Sequence, residues 1–329
     1  MTDKKKEKPF VFVRCMTFNH EAYIKDALNG FVMQQTTFPF VVAIINDAST
    51  DKTKSVINEF VENNCIYNPE IDLRIEEYGT VLDVTVKDNP HCIFHIVHLN
   101  ENHYGKKSKL PYFAKYENAA KYVAMCEGDD YWTDPLKLQK QVDFMEANPE
   151  YSLCFHKVKT LIQNTGELKN EFVVRDMPDE SSVEDLAAGN YIHTPSVMLR
   201  YDKQVQKKIF SLGSCMPSDY VWWMLYAEKG KIFKFDEPMA VYRYGSGIWS
   251  TDESVRPDLE MLMTLNKLWV AIDNDEVRKV LQEQILKQKQ TVLDFVAHLQ
   301  HDLYVVRSSK AYRLGKMLLK PFSWLKKYL

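Results

Sequence analysis

Glu127, Asp129 and Asp130 put three carboxylates into four consecutive residues, and Tyr131-Trp132-Thr133-Asp134-Pro135 follows them. Like charges this close repel unless something neutralises them. A hard divalent cation does so, and it prefers oxygen ligands. Mg²⁺ or Mn²⁺ held by one or two carboxylates usually fills its other positions with phosphate oxygens and water. The plain alternative is an acidic turn whose aspartate caps a helix starting near Pro135. A second cluster, Asn46-Asp47-Ala48-Ser49-Thr50-Asp51, sets an aspartate after an apolar run. There it can accept hydrogen bonds from a base edge or from ribose hydroxyls, and the helix start behind it offers backbone N–H groups to phosphate. An ordinary N-cap is the alternative. In the third cluster, Pro217-Ser218-Asp219-Tyr220-Val221-Trp222-Trp223, Asp219 opens a largely apolar helix. It is placed there as a general base or as a simple cap.

Each of the first two clusters follows a predicted strand. Phe10–Cys15 and Phe40–Ile45 are short apolar runs rich in β-branched and aromatic residues, and His91–Leu99 and Lys121–Cys126 read likewise. Helices are predicted between them. One covers about 20–34, capped by Asn19, with Ile24, Ala27, Leu28 and Phe31 at helical spacing. Another opens at Ser49-Thr50-Asp51 and presents Val56, Ile57 and Phe60. A third lies around 111–120, and a fourth carries Leu138, Val142 and Met145 and is closed by Asn148-Pro149. Strand–helix repetition predicts an α/β fold, a mostly parallel sheet with helices on both faces. Ligands in such sheets bind outside the carboxyl ends of the strands, where segments 17–20, 46–51 and 127–130 fall. The acidic stretch 66–90 is expected to be an irregular insertion on the sheet edge.

The second half changes character. Cys154–Ile162 and Glu171–Arg175 look like antiparallel strands around a turn at Asn164–Gly166. A short helix at Ser182–Gly189, a strand at His193–Arg200, an aromatic helix at Pro217–Gly230 and a strand at Phe233–Tyr244 follow. From about Glu253 the pattern is helical.

Composition limits the function. The 329 residues are 45% apolar, enough for a sizeable core, and the formal net charge of −3 provides no field for a nucleic-acid partner. No run approaches the ~18 apolar residues of a spanning helix. The charged segment Met1–Lys8 has no apolar stretch behind it, so no signal peptide is expected. The six cysteines are too far apart for CxxC pairs and are expected to be buried free thiols in a reducing cytosol.

Taken jointly and in order, the clusters resemble glycosyltransferase family 2, the inverting sugar-nucleotide transferases with a GT-A (Rossmann-like) fold. Phe10–Asn19 looks like the family's opening strand and Thr-Tyr-Asn turn, here Thr17-Phe18-Asn19. Ile45–Thr53 is similar to its Asp-Asp-Gly-Ser-Thr-Asp segment, and Cys126–Asp134 to its metal-binding acidic motif. Ser218-Asp219 resembles its Glu-Asp catalytic pair. The resemblance covers roughly residues 9–250. It implies that Thr17 and Asn19 line a nucleotide pocket, that Asp47 bonds the base and that Asp51 supports that loop. Asp129 would face the ribose or sugar, Asp130 would ligate Mn²⁺ or Mg²⁺, and Asp219 would take the acceptor's proton. Two departures stand out: Glu127 replaces the first Asp of the DxD, and Ser218 replaces the Glu. The family often has an arginine between the third strand and the acidic motif; here Lys106, Lys107 and Lys109 are available, with Lys109 the candidate for the nucleotide-sugar site. Trp132, His193, Ser218 and Arg243 are candidate acceptor or diphosphate contacts. Tyr131, Trp132, Trp222 and Trp223 either exclude water and stack on sugar or form core. His20 and His103 have no assigned role.

The implied organisation is a GT-A domain over 1–250, with a nucleotide-sugar half to about 150 and an acceptor half after it, then a helical extension over 251–304 and a basic tail over 305–329. No acid follows Asp302, whereas Arg307, Lys310, Arg313, Lys316, Lys320, Lys326 and Lys327 do, among interleaved leucines and aromatics. Such a tail suits an anionic membrane surface, or packs as a basic helix end on its own domain. The expected activity moves a sugar, with a UDP-sugar favoured, to a hydroxyl of a glycan or lipid-linked acceptor in bacterial surface polysaccharide synthesis. The expected location is cytoplasmic, peripheral to the inner face of the membrane. Two rivals are a non-catalytic sugar-nucleotide or glycan-binding scaffold and a sugar-phosphate nucleotidylyltransferase; the latter wants a Gly-rich loop that residues 14–22 lack. A dinucleotide oxidoreductase fails for want of GxGxxG.

Overall fold

A computed structural model describes residues 8–170, 177–247 and 254–319. The first half alternates β1 (Val11–Thr17), α1 (Ile24–Val32), β2 (Phe40–Asn46) and α2 (Thr53–Asn64). After these come β3 (Gly79–Val86), β4 (Asn89–Leu99), β5 (Tyr122–Met125), the short β6 (Tyr131–Trp132) and α3 (Lys137–Ala147). The second half contributes β7 (Tyr151–Ile162), β8 (Met198–Arg200), α4 (Ser218–Ala227) and β9 (Lys231–Tyr244), then helices α5 (Arg256–Ala271), α6 (Asp275–Ser308) and α7 (Lys310–Leu319).

One sheet runs through the molecule in the order β9-β7-β8-β5-β1-β2-β4-β3. Its centre, β5-β1-β2-β4, is parallel. β3 joins antiparallel at one edge, and β8 joins antiparallel between β5 and β7. All seven residues of β2 are buried, as a strand covered by helices on both faces requires. α1 turns Ile24, Ala27, Leu28 and Phe31 inward at helical spacing, each burial contributing about 1.5–3 kcal/mol for the larger side chains. α4 is buried along nearly its whole length, from Tyr220 to Ala227. Arg14 ties it to β1: the guanidinium bonds Glu117 at 2.6 Å and lies over the Trp222 ring at 4.1 Å.

The expected elements shift in several places. Segment 66–90 is not irregular; Leu73–Glu76 and β3 pair as a hairpin that widens the sheet beyond β4. The helix expected at 111–120 is a 3₁₀ turn, Leu110–Tyr112, and a single turn, Ala114–Glu117. The strand expected at His193–Arg200 is a 3₁₀ turn, Thr194–Ser196, followed by β8, because Pro195 lacks the donor a ladder needs. β7 pairs with Glu167–Lys169, while the expected strand 171–175 lies outside the described residues. A helix at Lys203–Ser211, opened by the Asp202 cap, had no sequence counterpart. No described helix is long and apolar enough to cross a membrane. All six cysteines are free, five of them buried.

α1 passes close over β6 at Gly30, where a Cβ would stand 2.9 Å from the Trp132 backbone nitrogen. Gly30→Ala is therefore expected to destabilise the protein. Overpacking of about 1–3 kcal/mol exceeds the about 1 kcal/mol that alanine gains in a helix. A urea denaturation midpoint equal to that of the wild type would contradict this.

Candidate active site

The loops after β1, β2 and β5 meet at the carboxyl ends of the parallel strands. Asn19, which follows β1, does not cap α1; its backbone is left-handed (φ 55°) and its side-chain oxygen accepts from Thr50 N–H at 2.8 Å. Its own N–H donates to Ser49 Oγ at 2.9 Å. Ala48, beside Asp47, is also left-handed (φ 57°). Such backbone costs on the order of 1–3 kcal/mol and persists where surroundings over-determine it. The surroundings here are these cross-loop bonds, with Asp51 accepting from Glu21 N–H at 3.0 Å and Thr53 N–H at 2.9 Å. Burial pushes the Asp51 carboxyl up, but the Thr53 and Glu21 hydrogen bonds outweigh it and hold the group below the usual range.

Asp47 is 4% exposed and accepts from His103 N–H at 2.7 Å. Its other oxygen pairs with Lys109 Nζ at 2.8 Å. Of the three lysines in that loop, Lys107 instead pairs with Glu101. The acidic motif packs directly against the first loop. Gly128 N–H donates to Met16 C=O at 2.9 Å, and a Cβ at Gly128 would stand 2.7 Å from Thr17 Oγ1 and 3.0 Å from His20 Nδ1. Both of those atoms are buried without a hydrogen-bond partner, and burial lowers the His20 pKa.

Asp130 accepts from Arg243 N–H at 2.8 Å, and Asp129 accepts from Ser246 Oγ at 2.9 Å. Burial, then the Asp129 charge, raise the Asp130 pKa well above the carboxylate range. Glu127 opens toward solvent, yet desolvation by the surrounding protein, then Asp129 and Asp219, push its carboxyl up to about 8. Asp219, in the first turn of α4, accepts from Tyr220 N–H at 2.8 Å and Thr194 Oγ1 at 3.2 Å; burial still raises it. Tyr242, on β9, brings the group together. Burial raises its phenol, and the charges of Asp130, Asp129, Asp219 and Glu127 all add to that shift. Lys109 in turn acts on Glu127. The carboxylates at 127–130 and at 219 therefore all lie within electrostatic reach of Tyr242, and Lys109, paired with Asp47, lies within reach of Glu127.

Two candidate contacts turn out differently. Trp132 is 2% exposed, donates its indole N–H to Pro195 C=O and packs edge-on against Phe31. It is core, as are Trp222 and Trp223. Arg243 is 6% exposed and its guanidinium is committed to Asp129 C=O at 2.7 Å and to the Asp26 carboxylate, between the rings of Tyr23 and Tyr131. It braces the acidic loop. The His193 ring lies tilted against Tyr242, centroids 4.8 Å apart, and Ser218 is exposed beside Asp219. Asp26, Thr194 and Ser246 went unnoticed. Ser246 had a signal in its setting, Gly245-Ser246-Gly247, a turn just past a strand end.

Among the described residues no three His, Cys, Asp or Glu side chains are gathered as a ready metal cage. The donor set is nevertheless all carboxylate oxygen, and its raised pKa values mark charge that a hard cation would neutralise.

An acid whose folded pKa is raised weakens folding as pH climbs above its unfolded value, because the folded state resists losing the proton. Glu127→Gln removes that cost. Its stabilisation relative to wild type is expected to grow between about pH 4.5 and pH 8. Thermal denaturation at both ends checks this, and an equal difference at the two would contradict it.

No family model matches the chain. Curated relatives are uncharacterized proteins of Mycobacterium tuberculosis and Mycobacterium bovis, 35% identical over 238 residues, which span 71% of this chain. The chain spans 59% of those relatives' length. Among solved structures it is similar to TarS of S. aureus in complex with UDP-GlcNAc, at a TM-score of 0.57 and 18% identity over 84% of this chain and 72% of that one. It is also similar to the mannosyltransferase PcManGT from Pyrobaculum calidifontis in complex with GDP-Man and Mn²⁺, at 0.52 and 14% identity over 95% of this chain and 84% of that one. The chain shares the overall fold of these two solved structures.

Proposed function

We propose that the chain is a metal-dependent inverting glycosyltransferase, moving a sugar from a nucleoside diphosphate sugar to a hydroxyl of a glycan or lipid-linked acceptor. The observation that carries this is that Glu127, Asp129, Asp130 and Asp219 all act electrostatically on Tyr242, while Lys109, which pairs with Asp47, acts on Glu127. The similar structures with UDP-GlcNAc and with GDP-Man and Mn²⁺ support a nucleotide-sugar donor.

In this reading Asp47, fixed by His103 N–H, accepts from the base, with UDP the favoured nucleotide, and Thr17 and Asn19 line the same pocket. Thr17 Oγ1, buried without a partner, is placed to meet a ligand atom. Asp129 faces the ribose or sugar. Asp130, with Glu127 beside it, would hold Mn²⁺ or Mg²⁺, which when bound neutralises charge on the leaving diphosphate. Lys109 adds a cation at the same edge. Asp219 takes the proton of the acceptor hydroxyl as its oxygen attacks the anomeric carbon on the face opposite the diphosphate. One such displacement inverts the centre. Burial raises the Asp219 pKa toward the operating pH, which favours a general base. Thr194 and Tyr220 N–H hold its carboxylate in place.

The tail supports a peripheral position at an anionic membrane surface. α7 carries Lys310, Arg313 and Lys316 with Tyr312 and Leu314 exposed, and residues 320–329 lie outside those described. Bacterial surface polysaccharide is the proposed destination of the sugar.

A panel of sugar nucleotides tests the reaction through Mn²⁺-dependent release of nucleoside diphosphate. Asp219→Asn is expected to lower kcat by about 10²–10⁴-fold, and Asp130→Ala to abolish the metal dependence. Equal turnover by wild type and both variants would refute the mechanism. Removal of 310–329 is expected to abolish sedimentation with anionic liposomes while sparing turnover; unchanged sedimentation would refute the membrane position.

A further inference from the structure

α6 runs for 34 residues, yet only Val277 and Leu281, near its start, are buried. From Val296 to Arg307 every residue is exposed, and no other described element covers this stretch. Exposure reaches 41% at Val296, 52% at Leu299, 49% at Leu303 and 55% at Val306. A helix standing alone in water is marginal; helices in proteins take most of their stability from packing an apolar face.

Five of the apolar residues here follow a particular spacing, while Leu293, Phe295, Tyr304 and Val305 lie beside it. Val292, Val296, Leu299, Leu303 and Val306 succeed one another at alternating steps of four and three. That is the a/d seam of a coiled coil, with Val296 and Leu303 at a, and Val292, Leu299 and Val306 at d. In the same frame Asp302 falls at g and Arg307 at e of the next heptad. In a parallel pair these two positions face each other across the seam, so each helix brings the opposite charge to its twin. A lipid surface fits this segment poorly, because residues 290–306 contain Asp294 and Asp302 and no lysine or arginine.

We propose that the second half of α6 pairs with the same helix of a second copy of this chain, in parallel, along Val292–Val306. The seam spans little more than two heptads, so the dimer is weak and concentration-dependent. The seam adjoins the basic tail, so pairing sets two tails side by side.

Sedimentation velocity of the full chain across a concentration series tests the pairing. The wild type is expected to shift from one copy to two as concentration rises, and Leu299→Asp with Leu303→Asp to remain single with unchanged circular dichroism. Asp302→Arg alone is expected to weaken the dimer, and Asp302→Arg with Arg307→Asp to restore it. Val296→Cys is expected to cross-link to its twin under mild oxidation, as only a parallel in-register pair allows. A wild type that stays single at high concentration overturns the proposal. So does a dimer indifferent to the Leu299 and Leu303 changes. Loss of anionic-vesicle binding in that double variant, with no self-association by wild type, would assign the stripe to lipid and overturn it equally.

Discussion

Mutual repulsion among carboxylates governs this molecule. Glu127, Asp129 and Asp130 share one turn, and Asp219 joins them from α4; Asp129 and Asp130 are buried, Asp219 is half-buried and Glu127 opens toward solvent among protein that crowds it. The charge of Asp129 adds to burial in raising Glu127 and Asp130, burial alone raises Asp219, and acids raised in this way oppose folding as they ionise. A protein that needed only stability would replace them. Keeping them is a cost that makes sense where a cation brings the compensating charge.

The surrounding structure holds these acids without neutralising them. Arg243 is the nearest buried cation on β9, but its guanidinium is spent on the Asp129 carbonyl and on Asp26. It meets Asp130 only through its backbone N–H. Lys109 serves Asp47 in the same way. Each cation fixes the geometry of a loop while leaving net negative charge in the cleft. Ser246, Thr194 and Tyr220 supply neutral donors to Asp129 and Asp219, which orient a carboxylate without quenching it.

Most of the first half was legible in the sequence because its signals are local. A fully buried strand such as β2 is a continuous apolar run, and the polar clusters sit where such runs end. Trp132 and Arg243 misled for a shared reason. Both lie beside the acidic motif in space, and residue type says nothing of direction: Trp132 turns under α1 into the core, and Arg243 turns to Asp26. The partnership of Arg243 with Asp26 spans 217 positions, beyond any local pattern. Segment 66–90 was obscured by its acids, because an edge hairpin is solvated on one side and so lacks a long apolar run.

The left-handed backbone at Asn19 and Ala48 gives this arrangement its physical logic. A loop that merely surrounded a ligand would relax to ordinary dihedrals. Here strain at two non-glycine residues is held by reciprocal bonds, Asn19 to Thr50 and Ser49, and Asp51 to Glu21. The loops after β1 and β2 therefore move together or not at all. Thr17 Oγ1 lies buried between them and Gly128, with no partner of its own. An unpaired buried hydroxyl costs about 1–3 kcal/mol, and a rigid surround prevents it from finding a substitute. A polar group reaching Thr17 Oγ1 from outside would recover that cost, because the rigid surround offers the hydroxyl no partner of its own.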